Sequence, residues 1–248
     1  MKILILCAFE AELQHFIASL PQLKEATYGK RRCLSTEINE HAVYVSFSGI
    51  GTTNAAKTTT ALCAALEPDC IIVCGSAGGL KAGQKTGDLL ISERVLDIDL
   101  FNLRDILSGT PYEACLTDPH TKKPLAREFS PPAAFLAFCA ASQLPNIAQG
   151  IIATSNAFPA PKETFELIKK LDCAGIEMES AAVFSAAADY KIPVITVRAI
   201  SNSIDAAGND LGTAENAIAI CSQRLNDFLH ELLGRIEQLS PETARLEA

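Results

Sequence analysis

No apolar run in the 248-residue chain approaches the roughly 20 residues that a membrane helix needs, so no membrane partner is expected. Positive charge is scarce: 21 Lys and Arg face 29 Asp and Glu, giving a formal net charge of −8 and a pI near 5.1. A protein that wraps a phosphate backbone needs the opposite balance, which removes nucleic acid from the expected partners. No internal repeat, low-complexity tract or Gly/Ser linker divides the chain. The start offers only Ile3 to Cys7 as an apolar stretch before Glu10 and Glu12, too short for the apolar region of a signal peptide. The expected location is therefore the cytoplasm.

Cysteine is not scarce, with nine at positions 7, 33, 63, 70, 74, 115, 139, 173 and 221, yet the patterns that give cysteine a chemical role are missing. There is no C-x-x-C pair and no His at zinc-ligand spacing, so no metal is expected. Several cysteines lie inside apolar runs such as Cys70–Cys74, where a thiol behaves as a small hydrophobe. They are expected to be buried and reduced.

What is present is 48% apolar and 20% charged residues, the profile of a globular chain able to bury a core without disulfides. Apolar, β-branched runs predict strands at Lys2–Cys7, Ala42–Phe47, Cys70–Cys74, Leu89–Val95, Gly150–Ala153 and Pro193–Ile200. Stretches rich in Ala, Leu, Glu and Lys predict helices at Glu10–Leu20, Asn54–Leu66, Pro132–Ser142, Lys162–Leu171, Met178–Tyr190 and Ala214–Leu239. Strands this continuously apolar suit a sheet covered on both faces. Alternation of strand and helix then predicts one α/β domain over 1–238, with a central mixed, largely parallel twisted sheet between helices and a polar tail at 239–248. The stretch Asp97–Pro132, with mixed charge, five prolines and no period, reads as a long functional excursion.

Five segments carry candidate chemistry. Ser48–Asn54 resembles a dinucleotide fingerprint, but Asn54 replaces the third glycine and Asp69 precedes the following apolar run instead of closing it, so a tight strand-to-helix turn is the better reading. Gly75-Ser76-Ala77-Gly78-Gly79 follows an apolar strand and would expose backbone at a sheet rim, where α/β folds bind ligands; a plain Gly-rich turn is the alternative. Glu177-Met178-Glu179 puts two carboxylates at the entry to an apolar helix, suited to a vicinal diol or merely to the helix dipole. Arg198, inside an apolar strand, calls for a buried carboxylate partner, and polar Ser201, Asn202 and Asp205 follow it. Phe9-Glu10-Ala11-Glu12 on its own reads as an acidic helix start.

In this order the segments resemble the methylthioadenosine/S-adenosylhomocysteine nucleosidase and futalosine hydrolase branch of the purine nucleoside phosphorylase superfamily. The matching residues are Ala8–Glu12, Gly49-Ile50-Gly51 with Asn54-Ala55-Ala56, Gly75–Leu80, Gly87-Asp88, Ala157-Phe158, Glu177–Glu179 and Arg198–Ser201. The resemblance implies hydrolysis of the ribosidic bond of a purine nucleoside, with water as the second reactant and no cofactor. Glu12 would be the general base for the attacking water, aided by Arg198 and Ser76. Glu179 would hold the ribose hydroxyls, with Met178 against the sugar and Glu177, Ala77 and Gly78 also on the substrate. Phe158 would stack on the purine, Pro159 would lie at its edge, and Ser201 with Asn202 would address N7.

Two departures bear on the substrate. The nucleosidases carry Asp where this chain has Asn202, and an amide cannot donate a proton to the leaving base. They also offer a backbone N–H to adenine where this chain has Pro159. Both changes favour a futalosine-pathway nucleoside, futalosine or 6-amino-6-deoxyfutalosine, in menaquinone biosynthesis; a methylthioadenosine/S-adenosylhomocysteine nucleosidase and a non-catalytic nucleoside-binding protein are the alternatives. Hypoxanthine or adenine as the base, and any help from Asp205 to Asn202, stay open. The resemblance also implies a homodimer, but the 97–132 stretch that would contribute to a neighbour does not match residue by residue, which counts against that assembly.

Overall fold

The computed structural model describes residues 1–101, 126–205 and 208–239. The first strand, β1 (Lys2–Cys7), shows why the chain forms layers. Ile3 and Ile5 enter one buried cluster while Leu4 and Leu6 enter another on the opposite face. A strand alternates its side chains with a period of two, so five successive buried residues require cover on both sides. On one side the cover is α1 (Gln14–Ser19), α3 (Ala133–Ala140) and α6 (Ala217–Gly234), which insert Phe16, Phe135 and Phe228. On the other it is α2 (Thr52–Leu66) and α5 (Ser180–Ala188), which insert Leu62 and Phe184. A further helix, α4 (Lys162–Lys170), packs Leu167 and Ile168 into a smaller cluster with Leu96 and Ala153.

The remaining strands are β2 (Lys24–Tyr28), β3 (Arg31–Ile38), β4 (His41–Phe47), β5 (Cys70–Gly79) and β6 (Leu89–Asp97). After them come β7 (Glu128–Phe129), β8 (Ile147–Thr154), β9 (Gly175–Glu177), β10 (Val194–Ile204) and β11 (Asp210–Thr213). They form one sheet in the order β11-β10-β6-β8-β9-β5-β1-β4-β3-β2, with β7 on β6. β1 lies parallel to both β4 and β5, and β6 parallel to β8, whereas the β2–β3–β4 end is antiparallel. The expected mixed α/β sheet between helices is thus the observed one. In addition β10 pairs in parallel with β5, so β5, β10, β6, β8 and β9 close into a ring.

Several expectations are corrected. The Gly-rich segment after Cys74 is strand, because β5 continues to Gly79 and pairs with β9 and β10. The helix expected over Glu10–Leu20 is a 3₁₀ turn, Glu10–Leu13, followed by α1. The helix expected from Met178 begins at Ser180, and that expected to Leu239 ends at Gly234 with a further 3₁₀ turn at Ile236–Gln238. Strands β2, β3, β7, β9 and β11 were not expected. Residues 102–125 of the 97–132 excursion and 240–248 of the tail lie outside the described residues. The eight described cysteines are buried and free, as expected.

Candidate active site

Strands β1, β4, β5 and β10 run parallel and send their carboxyl ends to one side of the molecule, where a cavity of about 410 Å³ opens; Ser155, Ala157 and Phe158, from the turn after β8, also line it. Such ends are where α/β sheets place ligands, since each strand hands over to a turn with free backbone groups. Glu12 reaches this cavity from the 3₁₀ turn just after β1, and it is only 2% exposed. Its Oε1 accepts hydrogen bonds from the Ser76 N–H and hydroxyl, each at 2.8 Å, and its Oε2 accepts from the Ala8 N–H at 3.0 Å. Three donors therefore fix the carboxylate at the cavity wall in a defined orientation. Ser76, Ala77 and Gly78 line the cavity beside it, which is possible because β5 runs on as strand through the glycines.

Arg198 sits behind this wall, not on it. It is 1% exposed, and its Nη2 pairs with Glu177, lies 3.4 Å from Glu179 Oε2 and donates to Ser180 Oγ at 3.0 Å. Burial lowers its pKa, but Glu177, Glu179 and Glu12 outweigh that and raise it above the ordinary arginine value. Its Nη1 and both Glu12 oxygens face the open side of Gly75, within 2.4 Å and 3.0 Å of the place a β-carbon would take. Its link to Glu12 is one of charge balance: one buried guanidinium serves three buried carboxylates.

The two glutamates separate in role. Glu177, the last residue of β9, accepts from Thr154 Oγ1, the Glu179 and Ser180 N–H groups, Ser180 Oγ and Arg198. Glu177 lines the cavity as expected of a residue on the substrate, but its carboxylate is occupied by these partners. Glu179, one residue before α5, accepts from the Gly51 N–H at 2.9 Å through Oε1, and otherwise has only the long Arg198 contact. Burial pushes its pKa up to about 7; Arg198 opposes the rise and Glu177 adds to it. A carboxylate this lightly bonded is open to a hydroxyl pair. Met178 lies between the two on the same wall.

At the other end Phe158, Pro159, Ser201 and Asn202 line the cavity, with Phe158 80% exposed at its rim. Ser201 Oγ lies 2.9 Å from Asn202 Oδ1 and 3.2 Å from the Ala77 carbonyl. When the hydroxyl donates to Oδ1, the Asn202 amide turns its NH₂ away, leaving a donor for a ligand. Asp205 accepts from the N–H and side-chain amide of Asn209, both at 2.9 Å, and is not on the cavity wall. It shapes the β10–β11 hairpin.

The structure thus gathers Glu12, Ser76, Ala77, Gly78, Phe158, Pro159, Glu177, Met178, Glu179, Ser201 and Asn202 around one cavity, and leaves only Arg198 behind the wall. Sequence reasoning missed Phe9, Ile50, Phe165, Ile204 and Asp210, which also line it. Phe9 and Ile50 lie within the candidate segments without having been given a role; nothing in the pattern marked Phe165, Ile204 or Asp210, which the hairpin and α4 bring in. Among the described residues no group of His, Cys, Asp and Glu could hold a metal ion.

The phosphorylase superfamily family model matches residues 2–234. A 5′-methylthioadenosine/S-adenosylhomocysteine nucleosidase of Listeria welshimeri is 30% identical over 240 residues, covering 93% of each chain. A nucleosidase of the same name from Colwellia psychrerythraea, solved with adenine, superposes with a TM-score of 0.78 at 24% identity, covering 94% of this chain and 95% of that one. A futalosine hydrolase mutant of Helicobacter pylori superposes with a TM-score of 0.75 at 20% identity, covering 96% and 100%. At those identities the two structures speak for the fold.

Proposed function

The chain belongs to the phosphorylase superfamily, and we propose that it hydrolyses the N-ribosidic bond of a futalosine-pathway purine nucleoside without using phosphate. The observation that carries the hydrolytic reading is Glu12: a buried carboxylate, oriented by Ser76 and Ala8, facing the cavity where a nucleophile must stand. A carboxylate there attracts and deprotonates water but repels phosphate. The relatives named as nucleosidases, 30% identical over nearly the whole chain, support the same chemistry.

In this mechanism Glu12 accepts a proton from water as the water oxygen bonds to C1′ and the C1′–N9 bond breaks. Positive charge building on the sugar is met by Glu12 and Glu179, and Glu179 holds the ribose diol. The bonding electrons leave with the purine, which Asn202 steadies at N7 by a hydrogen bond. An amide has no proton to give, so solvent supplies the one that neutralises the base. That favours a purine that departs easily, and Pro159 removes a backbone donor that adenine N1 would otherwise use. These two residues are the support for futalosine or its 6-amino analogue and for a place in menaquinone biosynthesis. The second reading, a methylthioadenosine/S-adenosylhomocysteine nucleosidase, is favoured by the names of the sequence relatives.

The test is a phosphate-free assay of free purine release from futalosine, 6-amino-6-deoxyfutalosine, methylthioadenosine and S-adenosylhomocysteine. Turnover confined to the first two is expected, with Glu12→Gln folded and inactive. Rapid turnover of the sulfur nucleosides would establish the second reading, and nucleoside binding with no turnover at all would make the protein a binding module.

A further inference from the structure

Three turns meet at the cavity mouth: Gly49–Thr52 between β4 and α2, the stretch after β6 that holds Asp99, and Ser155–Pro159 after β8. One side chain ties them together. Asn156 Oδ1 accepts from the Thr52 N–H at 2.9 Å, and its Nδ2 donates to Thr52 Oγ1 at 2.7 Å and to Asp99 Oδ2 at 3.0 Å. Its own N–H donates to the same Asp99 oxygen at 2.8 Å, and Ser155 Oγ donates to Asp99 Oδ1 at 2.7 Å. Both donors and the acceptor of the amide are thus used, and Asp99 fixes which way the amide faces. The adjoining residue in the first turn, Gly51, donates its N–H to Glu179 Oε1. At φ +91° Gly51 adopts backbone that favours glycine, and a β-carbon there would stand 3.0 Å from Asn156 Oδ1.

Asn156 and Asp99 are exposed, and water can serve their polar groups if the cluster comes apart. Hydrogen bonds in that setting contribute little to folding. Their convergence on one amide therefore points to placement of the turn, not to stability. We infer that Asn156, held by Asp99, is a positioning residue: it fixes the Gly49–Thr52 turn and, through the Gly51 N–H, the carboxylate of Glu179. This rests on the proposed function in one respect, that Glu179 meets the ribose hydroxyls.

The test measures dissociation constants by calorimetry for adenosine, inosine and their 2′,3′-dideoxy counterparts, in a Glu12→Gln background that blocks turnover. Asn156→Ala is expected to weaken both ribonucleosides by about tenfold, the scale of one lost hydrogen bond, and the dideoxy compounds by less than about twofold. Its melting temperature should move by no more than about 2 °C. Asp99→Asn, which keeps the shape and removes the charge, should show the same selective loss and serves alone if Asn156→Ala fails to fold. Equal weakening of ribose and dideoxy ligands would overturn the positioning role while leaving the proposed function intact. Failure of the Glu12→Gln protein to bind any of the four would overturn both.

Discussion

Glu179 has to reconcile burial with charge. Desolvation lifts its pKa from the ordinary 4.5 to about 7 although Arg198 is close, and a single backbone N–H holds one of its oxygens. The native protein therefore binds a proton at Glu179 that the unfolded chain has released, over the window from about 4.5 to about 7. Stability must fall as pH rises through that window, because the folded state is then forced to carry the charge. Asp97, raised to about 6 by burial and by Asp99, adds a fall of the same sign at somewhat lower pH. Nucleoside binding should run the other way and strengthen as pH rises through about 7, since the ionised carboxylate is the better acceptor for two hydroxyls. Thermal melting and nucleoside affinity measured across the same pH series check both trends. Glu179→Gln should flatten the melting trend, and an unchanged slope would show that the group does not titrate there. None of this balance was legible in the sequence. The motif around Glu177 and Glu179 marked two carboxylates at a helix entry, but their different fates depend on Thr154, Ser180 and Gly51, which come from elsewhere.

At the scale of elements the long strands were legible and the short or polar ones were not. β1, β4 and β8 contain apolar runs that need cover on both faces, and they appear where those runs lie. β2 and β3 read Lys-Glu-Ala-Thr-Tyr and Arg-Arg-Cys-Leu-Ser-Thr-Glu-Ile; they are strands because β4 offers an edge to pair with, and a polar sheet end needs no apolar run. β9 is three residues long and owes its form to β5 and β8 on either side. The most informative miss is β5, whose glycines lie beyond the strand end expected at Cys74. They stay in the strand because side chains would not fit: at Gly75 a β-carbon would meet Arg198 Nη1 at 2.4 Å and both Glu12 oxygens at 3.0 Å, on backbone with φ +153°. Arg198 is pinned by its acidic partners, so Glu12 has to give way. Gly75→Ala should cost about 1–3 kcal/mol through overpacking. It should also lower kcat/KM about 100-fold, because displacing a general base, the role proposed for Glu12, by an ångström has that effect. Gly234→Ala is the control, since open space surrounds that position and neither stability nor turnover should suffer. A fully active Gly75→Ala protein would mean that Glu12 needs no such precise seat.

Considered whole, the molecule is acidic, and so is the wall of its candidate site. The chain carries a formal charge of −8, and Glu12, Glu177, Glu179 and Asp210 line the cavity. The one cation packed against that wall, Arg198, is committed to the carboxylates behind it, and no other Lys or Arg lines the cavity among the described residues. Acidic composition argued against nucleic acid as a partner, but it could not say where the charge would gather. That depends on ring closure through β10 and β5, which brings the β1, β9 and β10 segments to one mouth. Like charges brought together in a desolvated site cost several kcal/mol, so a phosphate dianion beside Glu12 is strongly disfavoured while neutral water is not. Purine release should therefore proceed at full rate without phosphate and stay flat through a phosphate titration at constant ionic strength. The sugar product should be the free sugar, identified by chromatography of the reaction mixture. A rate that climbs with phosphate, or a sugar 1-phosphate among the products, would mean that the anion finds a seat beside Glu12 after all, and the role of that residue as the base for water would have to be abandoned.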